Sequence, residues 1–305
     1  MDSRHRHILD LDRRGLLRGA TALAALAALG PARAQTVAEI ARDPFTLGVA
    51  SGDPWPDGVV LWTRLAPEPL AAMGGLLPVA RRVGWEVAGL APARPYWYRF
   101  RAGAAVSPTG RTRTAPAPGA TPDRFRIVNS DCQHWEHGHF TAWRHIAEEP
   151  ELDAIFHYGD YIYEYAGRQP GSRGWGPVVR SHAGAETYTL ENYRQRYAQY
   201  HTDPDLMAGQ VTAEDGTAVA SEFTAPSLTS EGDGSEIQNS TPEILRRNPH
   251  IAFFNNRRGY TLHEATPERM ETVFRAFPFV TRPDAPREDK ARFVQETGQP
   301  TLHRA

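Results

Sequence analysis

Apolar and polar residues alternate with a period of two in the first third of the chain. The alternation is clearest in GVVLWTRL, which begins at Gly58, and in PYWYRFRAG, which begins at Pro95. This period is typical of β-strands with one buried and one solvent-facing side. Because a Pro-, Ala- and Gly-rich linker follows, the pattern predicts an N-terminal β-sandwich domain of the immunoglobulin or fibronectin type over residues 35–118.

The hydrophobic pattern changes after the linker. RFRIVNSD, which begins at Arg124, and LDAIFHYGD, which begins at Leu152, are short apolar runs that end in polar residues. Between them, FTAWRHIAEE carries apolar residues at helical spacing. A strand, a helix and a strand in this order form a βαβ unit, whose two strands lie parallel and side by side. The pattern therefore predicts an α/β domain over residues 119–305.

The later part of this domain is patterned less regularly. A helix in TLENYRQRYAQYH begins at Thr189, a favourable N-cap residue. One stripe of this helix carries Leu190, Tyr193, Tyr197 and Tyr200, and its three tyrosines are expected to pack in the core. The segment HIAFFNNRRGYTLHEATPERMETVFRAF predicts two or three strands with a turn near Asn255. Arg257 and Arg258 flank that turn. They either bind phosphate or, as the sequence favours, lie in solvent.

Candidate chemistry lies at the ends of the two predicted parallel strands. Cys132 follows the first strand, Asp160 ends the second, and Tyr163 follows Asp160 by three residues. Because the carboxyl ends of parallel strands meet at one edge of a sheet, we expect the three side chains to converge. A thiolate, a carboxylate and a phenolate together favour a highly charged cation, and a phenolate is a hard ligand suited to Fe(III).

Each of these three residues also has a purely structural interpretation. Cys132 is compatible with a small buried residue, and Asp160 with the cap of a turn. Tyr163 is compatible with a core position like those of its neighbours Tyr161 and Tyr165. Spacing alone does not separate the three tyrosines.

Three histidines follow the cysteine closely: His134, His137 and His139. The resulting spacing, C-x-H-x-x-H-x-H, matches no standard zinc-binding pattern. The three histidines are therefore not interpreted as a zinc site.

Composition excludes two other classes of protein. The chain has 305 residues, with 34 basic and 36 acidic side chains. It has no basic excess and no basic stripe, so the sequence carries no nucleic-acid-binding footprint. It contains one cysteine, so an intramolecular disulfide is impossible.

The N-terminus has the features of an export signal. The pair Arg13-Arg14 precedes an alanine-rich apolar run over residues 21–29, and a small-x-small cleavage site follows at 32–34. These features predict a twin-arginine signal peptide over residues 1–34, with an ordinary secretory signal as the alternative. The run is too short for a permanent membrane span. We therefore expect the twin-arginine translocon as an export partner, no membrane anchor after cleavage, and a periplasmic or secreted location.

Several motifs in one order resemble a known enzyme family. Gly159-Asp160-x-x-Tyr163 resembles the second motif of the calcineurin-like metallophosphoesterases. The longer strings SDCQ, EHGHFTAWRHIAEEPELDAIFHYGDYIYEY, LGVASGDPWPDGVVLWTRL and NPHIAFFNNRRGY resemble the alkaline phosphatase D family in particular. Together they cover most of the chain after residue 34.

The resemblance implies a fold, a reaction and a metal site. The fold is a metallophosphoesterase-type α/β sandwich. The reaction is hydrolysis of small phosphate esters, monoesters or diesters, by attack of a metal-bound hydroxide on phosphorus at alkaline pH. The implied cofactors are Fe(III) and Ca²⁺, with Cys132 and Tyr163 as iron ligands and Asp160 as the bridging ligand.

The chain also departs from the family pattern. Beyond Met207 the family has a Trp-Asp-Asp-His-Glu motif, an asparagine ligand and a Gly-Asp-x-His motif, and this chain has none of them. The α/β sandwich is therefore expected to be incomplete, with an internal shortening near residues 207–217. Two alternatives stay open: a phosphate-ester hydrolase, or a catalytically inactive, internally deleted fragment of one. From these 305 residues we expect little or no turnover.

Overall fold

A computed structural model describes residues 42–71, 82–172, 174–209, 223–247, 251–299 and 302–305. The predicted signal peptide, residues 1–34, and most of the predicted shortening near 207–217 lie outside the described residues.

The N-terminal part of the chain consists of short antiparallel strands. Strands β1 (Val49–Trp55), β2 (Gly58–Arg64) and β3 (Arg82–Ala88) form one sheet. Strand β4 (Pro95–Tyr98) pairs with β7 (Gly110–Arg113), and β5 (Arg101–Ala102) pairs with β6 (Ala105–Val106). The predicted alternation is confirmed in β4, where Trp97 is exposed between the partly buried Tyr96 and Tyr98. In β2, Val59 and Thr63 are buried, whereas Leu61 between them is only partly buried. The immunoglobulin-like sandwich and the domain boundary near residue 118 stay predictions.

The second part of the chain is built on a mixed sheet of seven strands. The predicted βαβ unit is confirmed as β8 (Phe125–Ser130), α1 (Thr141–Ala147) and β9 (Ala154–His157), with β8 and β9 parallel. The other members of the sheet pair antiparallel: β10 (Gly234–Ser235), β11 (Asn256–Ala265), β12 (Arg269–Phe277), β13 (Glu288–Glu296) and β14 (His303–Arg304). The order is β14-β13-β12-β11-β8-β9, and β10 pairs with β11 at its start.

The predicted turn near Asn255 lies just before a strand, not between two strands. Asn255 Oδ1 accepts a hydrogen bond from the backbone N–H of Arg257 at 2.8 Å, and β11 begins at the residue between them. The connection between β11 and β12 instead passes through residues 266–268. An asparagine side chain accepts a hydrogen bond from a nearby backbone N–H both in a turn between two strands and in a bend before a single strand. The residue therefore predicts a bend in the backbone but does not show whether that bend joins two strands.

The main core lies between the sheet and α1. Its fully buried side chains include Val128 from β8, Ile146 from α1 and Tyr260 from β11. Three further helices complete the described part of the chain: α2 (Leu190–Tyr200), α3 (Pro204–Gly209) and α4 (Thr241–Arg247). In the described ranges, every helix is too short or too polar to cross a membrane.

Helix α2 begins as predicted but buries a different face. Thr189 caps it, with Asn192 N donating to Thr189 Oγ1 at 3.2 Å. Of the predicted apolar stripe, Leu190 is 65% exposed and Tyr193 39% exposed, whereas Tyr200 is fully buried. The expectation that Tyr193 packs in the core was wrong, because Arg196 occupies the inward position.

The side chain of Arg196 faces inward because it satisfies backbone carbonyls that would otherwise be unpaired. Its guanidinium donates to the carbonyl oxygens of Tyr163, Tyr165, Ala183 and Ala185. Buried carbonyl groups need such partners. The helix therefore fixes the loop that follows β9, and Tyr163 lies in that loop.

Candidate functional site

The loops that follow β8 and β9 run side by side beyond the ends of the strands. The backbone N–H of Cys132 donates to the carbonyl of Gly159 at 3.1 Å, and that of Gln133 donates to the carbonyl of Asp160 at 3.2 Å. These bonds extend the parallel pairing past the last sheet residues. Cys132 and Asp160 are therefore neighbours across the two loops, as the strand order predicts.

Both residues have a backbone conformation that side chains disfavour. Cys132 has a φ of 50° and Asp160 a φ of 52°. The left-handed region is uncommon for residues other than glycine, and residues held there cluster at functional sites. Two such residues side by side at the end of parallel strands mark this edge of the sheet as a candidate site.

The three predicted site residues lie together. Cys132 Sγ is 3.5 Å from Asp160 Oδ2, and the Tyr163 hydroxyl donates to the same Oδ2 at 2.8 Å. Asp160 is solvent-exposed and Tyr163 is buried. The thiol, the carboxylate and the phenol therefore share one oxygen atom as their meeting point. Their role as metal ligands stays a prediction.

Two further residues at this point were not predicted. Asp131 Oδ2 accepts from Cys132 Sγ at 3.2 Å, and its Oδ1 is buried with no hydrogen-bond partner in the part of the chain that the structure describes. Ser230 Oγ lies 2.8 Å from the Tyr163 hydroxyl and donates to the carbonyl of Cys132 at 2.8 Å. Asp131 directly precedes the cysteine, which is a usable signal. Ser230 lies in a Gly/Ser/Thr-rich stretch whose sequence contains no signal that marks it as a site residue.

Arg258 also belongs to this site, and the expectation that it lies in solvent was wrong. Arg258 is 5% exposed, because it lies within β11 and not at a turn. Its Nε donates to the carbonyl of Gly232 at 2.7 Å, and its Nη2 is 4.0 Å from Glu231 Oε2. Arg257 is directed elsewhere, with Nη1 donating to the carbonyl of Pro278 at 2.8 Å. Successive side chains of a strand point to opposite faces of the sheet, so Arg257 and Arg258 lie on different faces.

Burial keeps the Cys132 thiol and the Tyr163 phenol protonated when no cation is present. Burial first, and then the charge of Asp131, raises the pKa of Cys132 to about 12. Burial raises the pKa of Tyr163 well above its usual range, and it also raises the pKa of Asp131. A cation would reverse these shifts, because a bound metal deprotonates thiol and phenol ligands.

The donor set fits a cation only in part. Thiolate, carboxylate and phenolate suit one hard or intermediate cation, and the buried Asp131 Oδ1 adds an oxygen with no partner among the described residues. However, the described residues include no group of three or more His, Cys, Asp or Glu side chains that could hold a metal ion. A second set of ligands, which a two-metal centre requires, is likewise absent from the described ranges.

A cavity of about 500 Å³ opens over these groups. Its walls combine the predicted ligands with two aromatic side chains, three residues of the segment 227–231 and one arginine of β11: Cys132, Asp160, Tyr163, Tyr165, Trp175, Ser227, Ser230, Glu231 and Arg258. The volume is in the range of small-molecule sites.

The nearby histidines are packed behind the site. The His134 and His137 rings stack with their centroids 3.7 Å apart, and both side chains are fully buried. His137 Nδ1 accepts from the backbone N–H of Glu231 at 3.0 Å. Burial lowers the pKa of His134 to about 2 and that of His137 to about 4, so both rings are neutral at physiological pH.

Comparisons with known proteins agree on one family. The model of the PhoD-like phosphatase family matches residues 127–213, and that of the PhoD-like phosphatase N-terminal domain matches residues 30–88 and 80–116. Alkaline phosphatase D of Bacillus subtilis strain 168 is 42% identical over 234 residues, which cover 65% of this chain. The chain spans only 39% of the length of that relative, and this agrees with a missing central segment.

A solved structure titled "Structure of PhoD" matches with a TM-score of 0.77 at 24% identity, covering 88% of this chain and 93% of that one. This match supports the α/β fold. Together with the two family models and the Bacillus relative, it accounts for most of the described chain. The chain belongs to the PhoD-like phosphatase family.

Proposed function

We propose that the cavity at the ends of β8 and β9 binds phosphate esters and that the function of this site is their metal-dependent hydrolysis. One observation carries the proposal: three candidate ligands, Cys132, Asp160 and Tyr163, share one cavity with a buried arginine, Arg258. The name of the Bacillus relative, alkaline phosphatase D, supports the same reaction.

The proposed cofactors follow from the chemistry of the ligands. Cys132 and Tyr163 would hold Fe(III), because thiolate and phenolate are anionic ligands that stabilise a trivalent ion. The Asp160 carboxylate would contact both this ion and a Ca²⁺. When bound, such cations neutralise phosphoryl oxygens and make water a stronger nucleophile.

The protein itself supplies orientation and a second positive charge. The Arg258 guanidinium is planar and suits phosphate oxygens, and its position in β11 fixes its direction. Ser230 Oγ lies 2.8 Å from the Tyr163 hydroxyl, where its own hydroxyl would donate to the phenolate once a cation has displaced the phenol proton. Glu231, which lines the same cavity, adds negative charge that would disfavour an anionic ligand unless a cation is bound.

A second candidate function is binding without turnover. It is favoured by the lack of a second set of ligands among the described residues. In that case the chain would be an inactive member of the family that retains one cation and one phosphate site.

Turnover of p-nitrophenyl phosphate and of bis(p-nitrophenyl) phosphate, with Fe(III) and Ca²⁺ supplied, tests the proposal. We expect at most slow, metal-dependent turnover, and a loss of about 100-fold in kcat/KM for Arg258→Ala, because one charged contact to phosphate contributes about 3 kcal/mol. The matched control, Arg257→Ala, should keep the wild-type rate. Orthophosphate binding without turnover would support the second candidate, and no phosphate binding would contradict both.

We further propose that the protein acts after export, in the periplasm or outside the cell. The Arg13-Arg14 pair and the apolar run at 21–29 support this. Replacing both arginines by lysine should retain the chain in the cytoplasm, as measured by cell fractionation. Unchanged export would contradict use of the twin-arginine route.

A further inference from the structure

We propose that this site selects phosphate esters whose alcohol carries an aromatic ring, and that Tyr165 and Trp175 bind that ring. The inference rests on the proposed function, because it states which part of a phosphate ester binds in the remaining volume of the same cavity. Tyr165 and Trp175 are called the aromatic wall below.

The aromatic wall consists of two large rings that the fold leaves open to solvent. Tyr165 and Trp175 are each 49% exposed, and their ring centroids are 6.1 Å apart with an interplanar angle of 69°. Both line the cavity that contains Cys132, Asp160 and Arg258. Large aromatic side chains gain most from burial, so two exposed rings in one concave site indicate an apolar ligand group that covers them.

The Trp175 side of the aromatic wall packs against two buried histidine rings. The Trp175 ring lies nearly perpendicular to the rings of His134 and His137, with centroids 4.9 Å and 4.2 Å away. Both histidines are fully buried. A Cβ atom added at Gly176 would lie 2.6 Å from the His137 ring, so the backbone beside Trp175 is packed directly against that ring.

The loop that carries Trp175 is also fixed at both ends. The fully buried carboxylate of Glu136 accepts hydrogen bonds from the backbone N–H and Nε of Arg168, both at 2.7 Å, and from the backbone N–H of His182 at 3.1 Å. Charge-assisted bonds of this kind are among the stronger ones in proteins. The position of Trp175 is therefore built into the fold before any ligand binds, which lowers the entropic cost of binding.

The size and polarity of the cavity agree with such a ligand. About 500 Å³ is more than a phosphate group fills, and it is typical of sites for organic molecules. The charged groups Asp160 and Arg258 would receive the phosphoryl end together with its cation. The remaining volume, beside Tyr165 and Trp175, would take the alcohol end, and a planar ring gains most from stacking there.

Binding of three phosphorus compounds to the full chain loaded with Fe(III), measured by isothermal titration calorimetry in buffer with Ca²⁺, tests the inference. The probes are phenylphosphonate, methylphosphonate and orthophosphate, none of which carries a hydrolysable ester. We expect phenylphosphonate to bind about tenfold more tightly than methylphosphonate, the scale of one stacking interaction. Trp175→Ala should remove most of that preference, because only Tyr165 of the aromatic wall remains, and Trp175→Phe should keep most of it. Trp97→Ala, which changes an exposed tryptophan on β4, is the matched control.

The outcomes separate this inference from the proposed function. Orthophosphate binding without a preference for the phenyl group would overturn the aromatic wall alone. A preference that is undiminished in Trp175→Ala would do the same. Failure of all three compounds to bind would overturn the wall and the proposed function together. A circular dichroism spectrum of each variant shows whether it is folded, and Trp175→Phe keeps the test valid if the alanine variant unfolds.

Discussion

Cys132 lies between two carboxylates, and this position controls its reactivity. Burial first, and then the negative charge of Asp131, raises the pKa of the thiol to about 12. Alkylating reagents react with the thiolate, so this thiol is a poor nucleophile at neutral pH. A cysteine kept for its packing alone would not need two acidic neighbours at 3.2 and 3.5 Å.

The reactivity of Cys132 is therefore expected to depend on Asp131. In the folded chain without added metal, the pH midpoint for alkylation by iodoacetamide should lie well above 8.5, the pKa of an ordinary thiol. Asp131→Asn should lower that midpoint because it removes a neighbouring negative charge. The same chain unfolded in urea is the control and should titrate near 8.5. Equal midpoints in the folded and unfolded chain would contradict this account.

Part of the site was predictable at the level of single residues. Cys132, Asp160 and Tyr163 could be placed together because two parallel strands must end at one edge. Arg258 could not be placed at the site from the sequence, because the face of the sheet to which its side chain points depends on where β11 begins. The sequence suggested a turn at that point, whereas the chain already forms a strand.

Helix α2 shows how one element supports the site from behind. Its inward face carries Arg196, which is 1% exposed and donates to the carbonyls of Tyr163 and Tyr165. The hydrophobic pattern favoured the tyrosine stripe, since periodicity cannot reveal that a distant loop needs hydrogen-bond donors. The start of the helix was predictable, because Thr189 and Asn192 are neighbours in sequence and cap it locally.

Removing this arginine should destabilise the fold. Arg196→Met keeps much of the side-chain volume but leaves several buried carbonyl groups without donors, and we expect a loss of about 3 kcal/mol in the free energy of unfolding. Urea unfolding followed by circular dichroism measures the change. Arg194→Met alters an exposed arginine on the same helix and should change the stability by less than about 0.5 kcal/mol. Similar stabilities for the two variants would show that Arg196 does not support the loop.

At the scale of the whole molecule, buried neutral histidines link stability to pH. Burial is the main cause in each case and lowers the pKa of five of them: His134 to about 2, His182 to about 3, and His137, His201 and His263 to about 4. An unfolded chain binds protons on these histidines below about pH 6.5, and the folded chain does not. Acid therefore favours the unfolded state over the window from about pH 6.5 down to about pH 4.

The free energy of unfolding should accordingly fall as the pH is lowered from 7 to 5. Each buried histidine contributes up to about 1.4 kcal/mol per pH unit within this window. Urea unfolding at pH 7, 6 and 5 measures the slope. His263→Gln, which lies on β11 away from the cavity lining, should make the slope shallower. A free energy that is constant or rises towards pH 5 would show that these histidines are not held neutral.

The sheet as a whole was predictable only where contacts are local in sequence. β8, α1 and β9 follow one another within 33 residues, from Phe125 to His157, and their arrangement follows from handedness and pattern. The pairing of β8 with β11 joins residues more than 130 positions apart, such as Asn129 and Thr261. No local rule specifies that choice of neighbour, and it is the pairing that brings Arg258 to the site.

Fe(III) binding tests the central claim most directly, namely that Cys132, Asp160 and Tyr163 meet at one cation. Fe(III) bound to a phenolate absorbs visible light, so titration of the metal-free chain with Fe(III) can be followed by absorbance and reversed with a chelator. We predict a visible band that appears with one equivalent of iron, is weakened and shifted both in Tyr163→Phe and in Cys132→Ser, and is retained unchanged in Tyr161→Phe. Absence of any band, or a band that Tyr163→Phe leaves unchanged, would contradict the claim.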